Sequence, residues 1–150
     1  MNLYTVGFTK KTAQQFFDVL IINEIDLLLD IRLNNKTQLA GFTKGDDLAY
    51  FLREICRCAY EHKLEFAPTK DMLDAYRDKK LSWGEYEQKY TELIRVRNSE
   101  KGICDNYCKI YSQYKNIVLL CSEPTPDKCH RRLAAEAIRF SNPDICLKHL

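Results

Sequence analysis

Short apolar segments alternate with amphipathic helical segments along the whole chain, and this alternation limits the possible folds more than any other feature. Residues 3–8 and 26–31 are apolar runs typical of buried strands. Between them, Thr12 and Gln15 form a capping box, and apolar residues at helical spacing follow as far as Ile21. The first thirty residues therefore predict a right-handed β-α-β unit with its helix packed on the sheet.

The same alternation continues to the carboxyl end of the chain. Further strands are expected at residues 58–60, 117–121 and 145–147, and further helices are expected to start at residues 46, 68–69, 82 and 125–127. Residues 32–45 are polar and irregular, and residues 103–115 are left open, with a helix as one option. We predict an α/β fold, a single three-layer α/β/α sandwich with a mostly parallel sheet, in which residues 1–150 form one domain.

Two of the predicted helices carry expectations about individual side chains. The helix capped by Asp46 is expected to turn Leu48, Phe51, Leu52 and Ile55 inward. The helix that follows Ser82 places Trp83, Tyr86 and Tyr90 at a spacing typical of core residues, although such rings also stack on bases.

The composition is that of an ordinary globular protein, with 45% hydrophobic and 29% charged residues. There is no run of about 18 apolar residues, and residues 1–6 do not have the pattern of a signal peptide, so a cytoplasmic location is expected. The net charge of +2 is small for a dedicated nucleic-acid binder. An anionic small molecule or nucleotide is therefore a more natural partner than nucleic acid.

Seven cysteines are many for 150 residues, but their number is odd and no secretory signal accompanies them. A disulfide framework is therefore not expected. The pairs Cys56/Cys58 and Cys104/Cys108 lack the usual spacing of zinc ligands. We interpret these four residues and Cys146 as buried or incidental thiols.

Reactive side chains are concentrated in residues 118–132. A predicted strand ends at Cys121, two prolines impose a turn, and Cys129, His130 and Arg131 then open the last helix. Strand-to-helix crossovers of this kind hold ligands in open α/β proteins. A thiol, an imidazole and a guanidinium in one crossover indicate a site for an anionic ligand.

Other polar residues follow the remaining predicted strands, and we expect them to converge on the same edge of the sheet. They are Gly7 and Thr9 after the first strand, Asp30 and Arg32 after the second, Tyr60 and His62 near the third, and Ser122 and Glu123 after the fourth. A carboxylate, a guanidinium, a thiol and an imidazole in one crevice would form a plausible active site.

Three of the charged residues allow two interpretations each. Arg32 can bind an anion while Asp30 orients the ligand or acts as a base, or the two residues form a structural ion pair. Glu123 can act as a general base or bind a ribose hydroxyl, or it is a solvated turn residue.

Cys121 is either a nucleophile or a small hydrophobic residue that fills the end of a strand. As a nucleophile it needs a lowered pKa, for which Arg32, His130, Arg131 or a helix terminus are the available causes. The spacing from Cys121 to Arg131 is too long for the Cys-x5-Arg loop of cysteine phosphatases. That mechanism is therefore not supported.

The apolar stripe of the last helix predicts that Cys129 and His130 face the sheet, one turn before its first apolar residues. This expectation assumes a helix that starts near Thr125 or is capped by Asp127. His130 is then expected to carry protons, while Arg131 and the free amides of the helix start bind an anion. Alternatively, Cys129 and His130 only stabilise the turn by hydrogen bonds.

The chain resembles the uncharacterised family known as domain of unknown function 488. The motifs that carry this resemblance are Tyr4-Thr5-Val6-Gly7, the helix of residues 16–20, residues 26–32, Tyr60-x-His62, residues 120–123, Cys129-His130-Arg131 and His149. One departure is that Leu33 and Asn34 follow Arg32, where family members commonly have a proline and a serine. The resemblance implies an α/β fold and the same site residues, but no particular reaction.

Three functional hypotheses follow. The first is a small cytosolic enzyme that acts on an anionic, phosphate-bearing ligand, nucleotide-like or derived from nucleic acid. Its catalytic residues would be His130, Asp30, Glu123, Cys121 and Cys129, and its ligand-binding residues Gly7, Thr9, Arg32, Ser122 and Arg131. The second is a non-catalytic ligand- or nucleic-acid-binding module that uses the same crevice.

The third and least favoured hypothesis is a metal site built from Cys121, Cys129, His130 and a carboxylate. Cofactor, reaction and oligomeric state are left open.

Overall fold

The computed structural model describes residues 1–36 and 40–150. Its strands are β1 (Asn2–Gly7), β2 (Leu27–Asp30), β3 (Ala59–His62), β4 (Asn116–Cys121) and β5 (Cys146–His149). Within the described residues these five strands form one parallel sheet in the order β3-β2-β4-β1-β5. The predicted parallel sheet is therefore confirmed.

Helices cover both faces of this sheet. They are α1 (Ala13–Ile22), α2 (Gly45–Phe51), α3 (Lys70–Arg77), α4 (Trp83–Lys101), α5 (Tyr107–Ile110) and α6 (His130–Ser141). Apolar side chains of α1 and α2 pack against one face of the sheet, and those of α4 and α6 pack against the other. The result is the predicted three-layer α/β/α arrangement.

The interior strand β2, which lies between β3 and β4, shows how the apolar runs produce these layers. Leu27 and Leu29 pack into the cluster that contains α4 and α6, whereas Leu28 packs into the cluster that contains α1. Side chains alternate between the two faces of a strand, so a strand that is covered on both faces needs a continuous apolar run. The run of leucines therefore specifies a buried interior strand.

Two helix starts agree with their sequence signals. Thr12 and Gln15 exchange hydrogen bonds at the start of α1, and Ser82 and Glu85 do the same at the start of α4. Gly102 ends α4 with a φ of 62°, in the left-handed region that glycine enters without a steric penalty.

The second helix differs from its prediction at both ends. Lys44 has extended backbone and is the N-cap, so α2 starts at Gly45, and Asp46 lies in the first turn instead of capping the helix. A π turn over Leu52–Cys56 follows α2 and breaks the 3.6-residue period. Ile55 is consequently 49% exposed, and its predicted inward position was wrong.

The neighbouring segments also differ in detail. The third strand extends to residue 62, two residues beyond the prediction. The stretch predicted to be irregular, residues 32–45, contains a 3₁₀ turn at Gly41–Thr43. Within that stretch, residues 37–39 lie outside the described residues, so the prediction is untested there.

The stretch that the sequence left open, residues 103–115, contains the short helix α5. None of the helices in the described part of the chain has both the length and the apolar character that a membrane span requires.

Candidate active site

The carboxyl ends of four strands meet beside one cavity. Gly7 in β1 is in register with Cys121 in β4, and Asp30 in β2 is in register with His62 in β3. A cavity of about 730 Å³ lies at this edge of the sheet. Its volume is within the range of small-molecule sites, roughly 300–1,000 Å³.

The residues predicted to form the site divide into two groups. Those that line the cavity are Arg32, Cys121, Ser122, Glu123, Cys129 and His130. Those absent from the lining, as far as the described chain shows, are Gly7, Thr9, Asp30 and Arg131. The predicted convergence on one edge therefore brings the two thiols and His130 together at one cavity.

Asp30 and Arg32 form the buried ion pair that was one of their two interpretations. The guanidinium of Arg32 also donates to the backbone carbonyl of Thr43, and the hydroxyl of Tyr60 donates to the Asp30 carboxylate. Because Arg32 is held by groups of the protein itself, we expect it to shape the cavity wall and not to bind an anion directly. Its predicted role as an anion ligand is therefore not supported by this geometry.

The last helix starts later than predicted. Cys129 has extended backbone (φ −140°, ψ 135°) and is the N-cap of α6, which begins at His130. The amide of Cys129 donates to the carbonyl of Pro126 in a turn, so neither Thr125 nor Asp127 starts the helix. His130 still faces inward and is buried, as predicted, because the first turn of α6 packs against the end of the sheet.

Hydrogen bonding fixes the tautomer of His130. Its Nε2 atom lies 3.1 Å from the carbonyl oxygen of Ile31, and since a carbonyl only accepts, Nε2 carries the proton. Nδ1 then has a free lone pair, 3.6 Å from Sγ of Cys121. Sγ is almost equally far from Nε2, at 3.7 Å, so the sulfur faces the ring edge between the two nitrogens. Burial lowers the pKa of His130, which favours the neutral imidazole and leaves Nδ1 able to accept a proton.

The pKa values of the two thiols at the cavity are shifted in opposite directions. The thiol of Cys129 donates a hydrogen bond to Cys121, and this is the main reason that the pKa of Cys121 is lowered despite its burial. The backbone amides of Ser122 and Glu123 act in the same direction. The same hydrogen bond, together with burial, raises the pKa of Cys129. Cys121 is thus prepared to be a thiolate, while Cys129 keeps its proton.

These groups are also close enough to share a metal ion. One ligand atom from each of Cys121, Cys129 and His130 lies within 4.8 Å of the other two. Thiolates and imidazoles are the ligands that zinc prefers in proteins.

Arg131 contributes a buried positive charge next to the thiols. Its Nη1 donates to the carbonyl of Glu123 at 2.5 Å, whereas Nε and Nη2 have no partner among the described residues. The Arg131 charge helps to lower the pKa of Cys121. Burial is the larger cause that lowers the pKa of Lys11 and of His149, and the Arg131 charge adds to it. Because a buried unpaired charge is costly, a thiolate at Cys121 is a favourable counter-charge for Arg131.

Gly7 and Thr9 support the segment that follows β4. The amide of Thr9 donates to the carbonyl of Ser122 at 3.1 Å. A Cβ atom on Gly7 would lie 1.7 Å from the carbonyl oxygen of Glu123, so this close approach requires glycine. Both residues are predicted to bind ligand, but the structure places them against the backbone of residues 122–123.

Aromatic side chains form a part of the cavity wall, and two of them, Trp83 and Tyr86, have a sequence spacing typical of core residues. Tyr76, Trp83 and Tyr86 line the cavity from the end of α3 and the start of α4. The rings of Trp83 and Tyr86 are stacked, with centroids 5.4 Å apart. Tyr86 is buried, as predicted for a core residue, but Trp83 is only half-buried and offers part of its ring to the cavity.

Cationic side chains surround the cavity opening. Lys36, Arg77 and Lys128 line the cavity, are exposed and make no ion pair within the described residues. Lys70 also lines it but is paired with Asp74. The three unpaired cations come from distant segments, and no motif in the sequence connects them.

His62 is a second imidazole in the cavity wall. Its Nε2 donates to the carbonyl oxygen of Arg32 at 2.7 Å, next to the Ile31 carbonyl that holds His130. The sequence places His62 near the third strand without giving it a role. Two imidazoles are thus anchored to consecutive carbonyls after β2.

A family model described as domain of unknown function DUF488 matches residues 12–138, which confirms the resemblance found in the sequence. The match covers more than half of the 150 residues and includes every residue named above as lining the cavity. No curated protein and no solved structure matches the chain. The chain therefore belongs to the family described as domain of unknown function DUF488.

Proposed function

We propose that this protein is an enzyme that acts on an anionic, phosphate-bearing, nucleotide-like ligand, with Cys121 as its nucleophile. One observation carries the proposal: Cys121 lines a cavity of about 730 Å³, and its sulfur lies 3.6 Å from the free nitrogen of His130. Thiol nucleophiles in enzymes are activated by an adjacent base of this kind.

The groups around Cys121 support each part of a nucleophilic step. His130 Nδ1 accepts the thiol proton, and the thiol of Cys129 and the charge of Arg131 stabilise the thiolate. The sulfur then attacks an electrophilic atom of the ligand, and the leaving group takes the proton from His130. Asp30 has no direct part in this step, since its carboxylate is bonded to Arg32.

The cavity wall supports a ligand that combines an aromatic ring with negative charge. Tyr76 and Trp83 offer ring surface for stacking, while Lys36, Arg77 and Lys128 supply the positive charge that phosphate groups require. A nucleotide carries both features. The small net charge of +2 makes an extended nucleic-acid footprint less favoured.

The experiment is a titration of the reduced protein with nucleoside mono-, di- and triphosphates and with inorganic phosphate. The sequence contains one tryptophan, Trp83, so ligand binding can be followed by its fluorescence. We expect a nucleotide to change this fluorescence and to slow alkylation of Cys121 by iodoacetamide. The variants Arg77→Ala and Lys128→Ala should bind more weakly, and the exposed Lys109→Ala, which lies outside the lining, serves as the matched control.

Two results would overturn the proposal. Alkylation of Cys121 that no nucleotide or phosphate slows, with unchanged Trp83 fluorescence, would remove the ligand class. Binding that is followed by no turnover of any nucleotide tested, and that is the same in Cys121→Ser, would favour the non-catalytic binding module. If that module binds oligonucleotides, its affinity should fall steeply with salt.

A metal centre is a second candidate, because three ligand atoms already lie within 4.8 Å of one another. The separation of 3.6 Å between Cys121 Sγ and His130 Nδ1 is close to that of two ligands on one tetrahedral zinc ion, ~3.6 Å from usual bond lengths. The bond from Nε2 to Ile31 is the kind of support that metal-bound imidazoles have. The fourth position would face the cavity.

Metal analysis of the protein purified without chelators distinguishes the two candidates. A zinc centre predicts about one equivalent of metal, its loss in His130→Ala, and no loss in the exposed-thiol control Cys146→Ser. It also predicts that bound zinc protects Cys121 from alkylation. A metal content below roughly a tenth of an equivalent, with no gain on adding zinc or iron, would exclude the centre and leave the thiol nucleophile.

A further inference from the structure

Cys121 and Cys129 are two buried free thiols that lie close together. Their sulfur atoms lie within 4.8 Å of each other. Both residues line the cavity, and we expect a small solute to reach their sulfurs from it. The nucleophilic role proposed above uses Cys121 as the reacting sulfur and Cys129 only as a hydrogen-bond donor, which leaves the chemistry of the second thiol unexplained.

We infer that Cys121 and Cys129 form a reversible disulfide that switches the site off when Cys121 is oxidised by a hydroperoxide. Formation of the disulfide requires only the thiol pair, whereas its role as a switch rests on the function proposed above. Hydrogen peroxide is the oxidant that the size of the cavity readily admits, and a dithiol is the reductant that restores the two thiols.

The chemistry proceeds in two balanced steps. The thiolate of Cys121 attacks one oxygen of hydrogen peroxide, the O–O bond breaks, and the other oxygen leaves as hydroxide and becomes water after it takes up a proton. Cys121 is then a sulfenic acid. The sulfur of Cys129, after losing its proton, attacks the sulfur of Cys121, the S–O bond breaks, and hydroxide leaves with that proton as water. Two thiols and one peroxide thus give one disulfide and two waters.

The local backbone allows the sulfurs to approach each other. Cys129 has extended backbone at the N-cap of α6, and its side chain makes no capping bond within the described residues. The segment between the two cysteines consists of bends and turns, with neither strand nor helix. Closing the gap from a separation of at most 4.8 Å to the ~2.05 Å of a disulfide requires rotation of the Cys129 side chain and a shift of this segment.

Access makes the oxidation selective for this pair. Cys121 and Cys129 line the cavity, whereas burial raises the pKa of Cys58 and of Cys104 to about 12 and that of Cys56 to about 11. A thiolate is the form that peroxides oxidise. Cys56 and Cys58, which are only two residues apart, therefore provide an internal control pair that should stay reduced.

The bond would remove the sulfur that the proposed reaction needs. In the disulfide, Cys121 has no thiolate to attack a ligand, and His130 has no thiol proton to accept. Arg131 also loses the counter-charge that a thiolate supplies. We therefore expect the oxidised protein to be inactive while its cationic and aromatic cavity wall, and hence its nucleotide binding, is largely retained.

The test uses the full chain, freed of metal and reduced, then treated with limited hydrogen peroxide. Non-reducing peptide mapping by mass spectrometry should show residues 121 and 129 linked, with a loss of about 2 Da that dithiothreitol reverses. In Cys129→Ser the sulfenic acid of Cys121 should persist and react with dimedone. In Cys121→Ser, Cys129 should stay reduced, and Cys146→Ser should behave like the unchanged protein.

The mapping on the unchanged protein needs no variant to fold, and circular dichroism checks the folding of each variant. Absence of the 121–129 link, with sulfenic acid trapped equally in the unchanged protein and in Cys129→Ser, would overturn the inference. Formation of a disulfide between Cys56 and Cys58 at the same rate as the 121–129 link would also overturn the inference. Failure of the proposed function would give a different result. No nucleotide would protect Cys121 of the reduced protein from alkylation, although peroxide would still form the disulfide.

Discussion

The carboxylate of Asp30 holds the guanidinium of Arg32 by two hydrogen bonds, from Nε to Oδ1 at 2.8 Å and from Nη2 to Oδ2 at 2.6 Å. Both side chains are almost completely buried, and the hydroxyl of Tyr60 donates to the same carboxylate at 2.9 Å. Nη2 of Arg32 also donates to the carbonyl of Thr43 at 2.7 Å. This network ties the end of β2 to β3 and to the turn at residues 41–43.

Removing the carboxylate should strongly destabilise the protein. The variant Asp30→Ala leaves the charge of Arg32 buried without its partner, which typically costs about 3–5 kcal/mol. We expect Tyr60→Phe, which removes one hydrogen bond to the same charged carboxylate, to cost about 1.5–3 kcal/mol. Urea unfolding followed by circular dichroism measures both free energies.

A matched control for this ion pair is available on the surface of α4. Arg95 and Glu92 also form a close ion pair, but their side chains are 69% and 57% exposed. Arg95→Ala should therefore change the free energy of unfolding by less than about 1 kcal/mol. If Asp30→Ala proved as mild as Arg95→Ala, the buried pair would not be the structural support assigned to it.

Gly7→Ala should disturb the segment that carries the site. The added Cβ would lie 1.7 Å from the carbonyl oxygen of Glu123 and 2.9 Å from Nη1 of Arg131, so the segment after β4 must move. Overpacking of this kind costs roughly 1–3 kcal/mol. We expect a lower free energy of unfolding and slower alkylation of Cys121, since that segment supplies amides to its sulfur.

Gly84→Ala is the control for the glycine substitution. Gly84 lies in the first turn of α4, and among the described residues no atom comes within 4 Å of an added Cβ. Alanine is preferred over glycine in helices by up to about 1 kcal/mol, so the variant should be as stable as the original protein or more stable. Equal losses in both glycine variants would contradict the contact between Gly7 and residue 123.

Most of the fold follows from local patterns in the sequence. The leucine run of β2 predicts a buried strand because a strand covered on both faces needs apolar side chains on both, and the capping residue Thr12 marks a helix start. The phase of α2 could not be predicted in the same way. A π turn shifts Ile55 to the surface, and such a turn depends on packing that the sequence pattern does not contain.

The candidate site could be predicted only in part for a related reason. Cys121 and His130 end one element and start another, so the topology alone brings them to the same edge. The cavity wall also needs Lys36, Arg77 and Trp83, which lie on separate segments and meet only in the folded chain. No spacing rule connects residues that are joined by tertiary structure alone.

The thiol of Cys129 should control the acidity of Cys121. Cys129→Ala removes the donor that chiefly lowers the pKa of Cys121, so that pKa should rise and alkylation near pH 7 should slow. Cys129→Ser keeps an O–H donor and should retain most of the effect. Mass spectrometry of iodoacetamide labelling at a series of pH values gives the pKa in each variant. Identical profiles for the alanine variant and the unchanged protein would rule out this hydrogen bond as the cause.

Burial of His130 should make the protein less stable as the solution becomes acidic. Its pKa is lowered in the folded state from an ordinary value of 6.5. Between these two values the unfolded chain binds a proton that the folded chain does not, so the free energy of unfolding falls as the pH falls. The loss begins near pH 6.5, continues down to the folded-state pKa and is absent above pH 6.5, where the imidazole is neutral in both states.

His130→Asn cannot titrate, so its stability should decline less than that of the unchanged protein in urea unfolding series across this range. His149, whose pKa is also lowered, makes its own contribution, and His149→Asn measures it separately. Parallel declines in the unchanged protein and in His130→Asn would show that the buried imidazole is not the group that resists protonation.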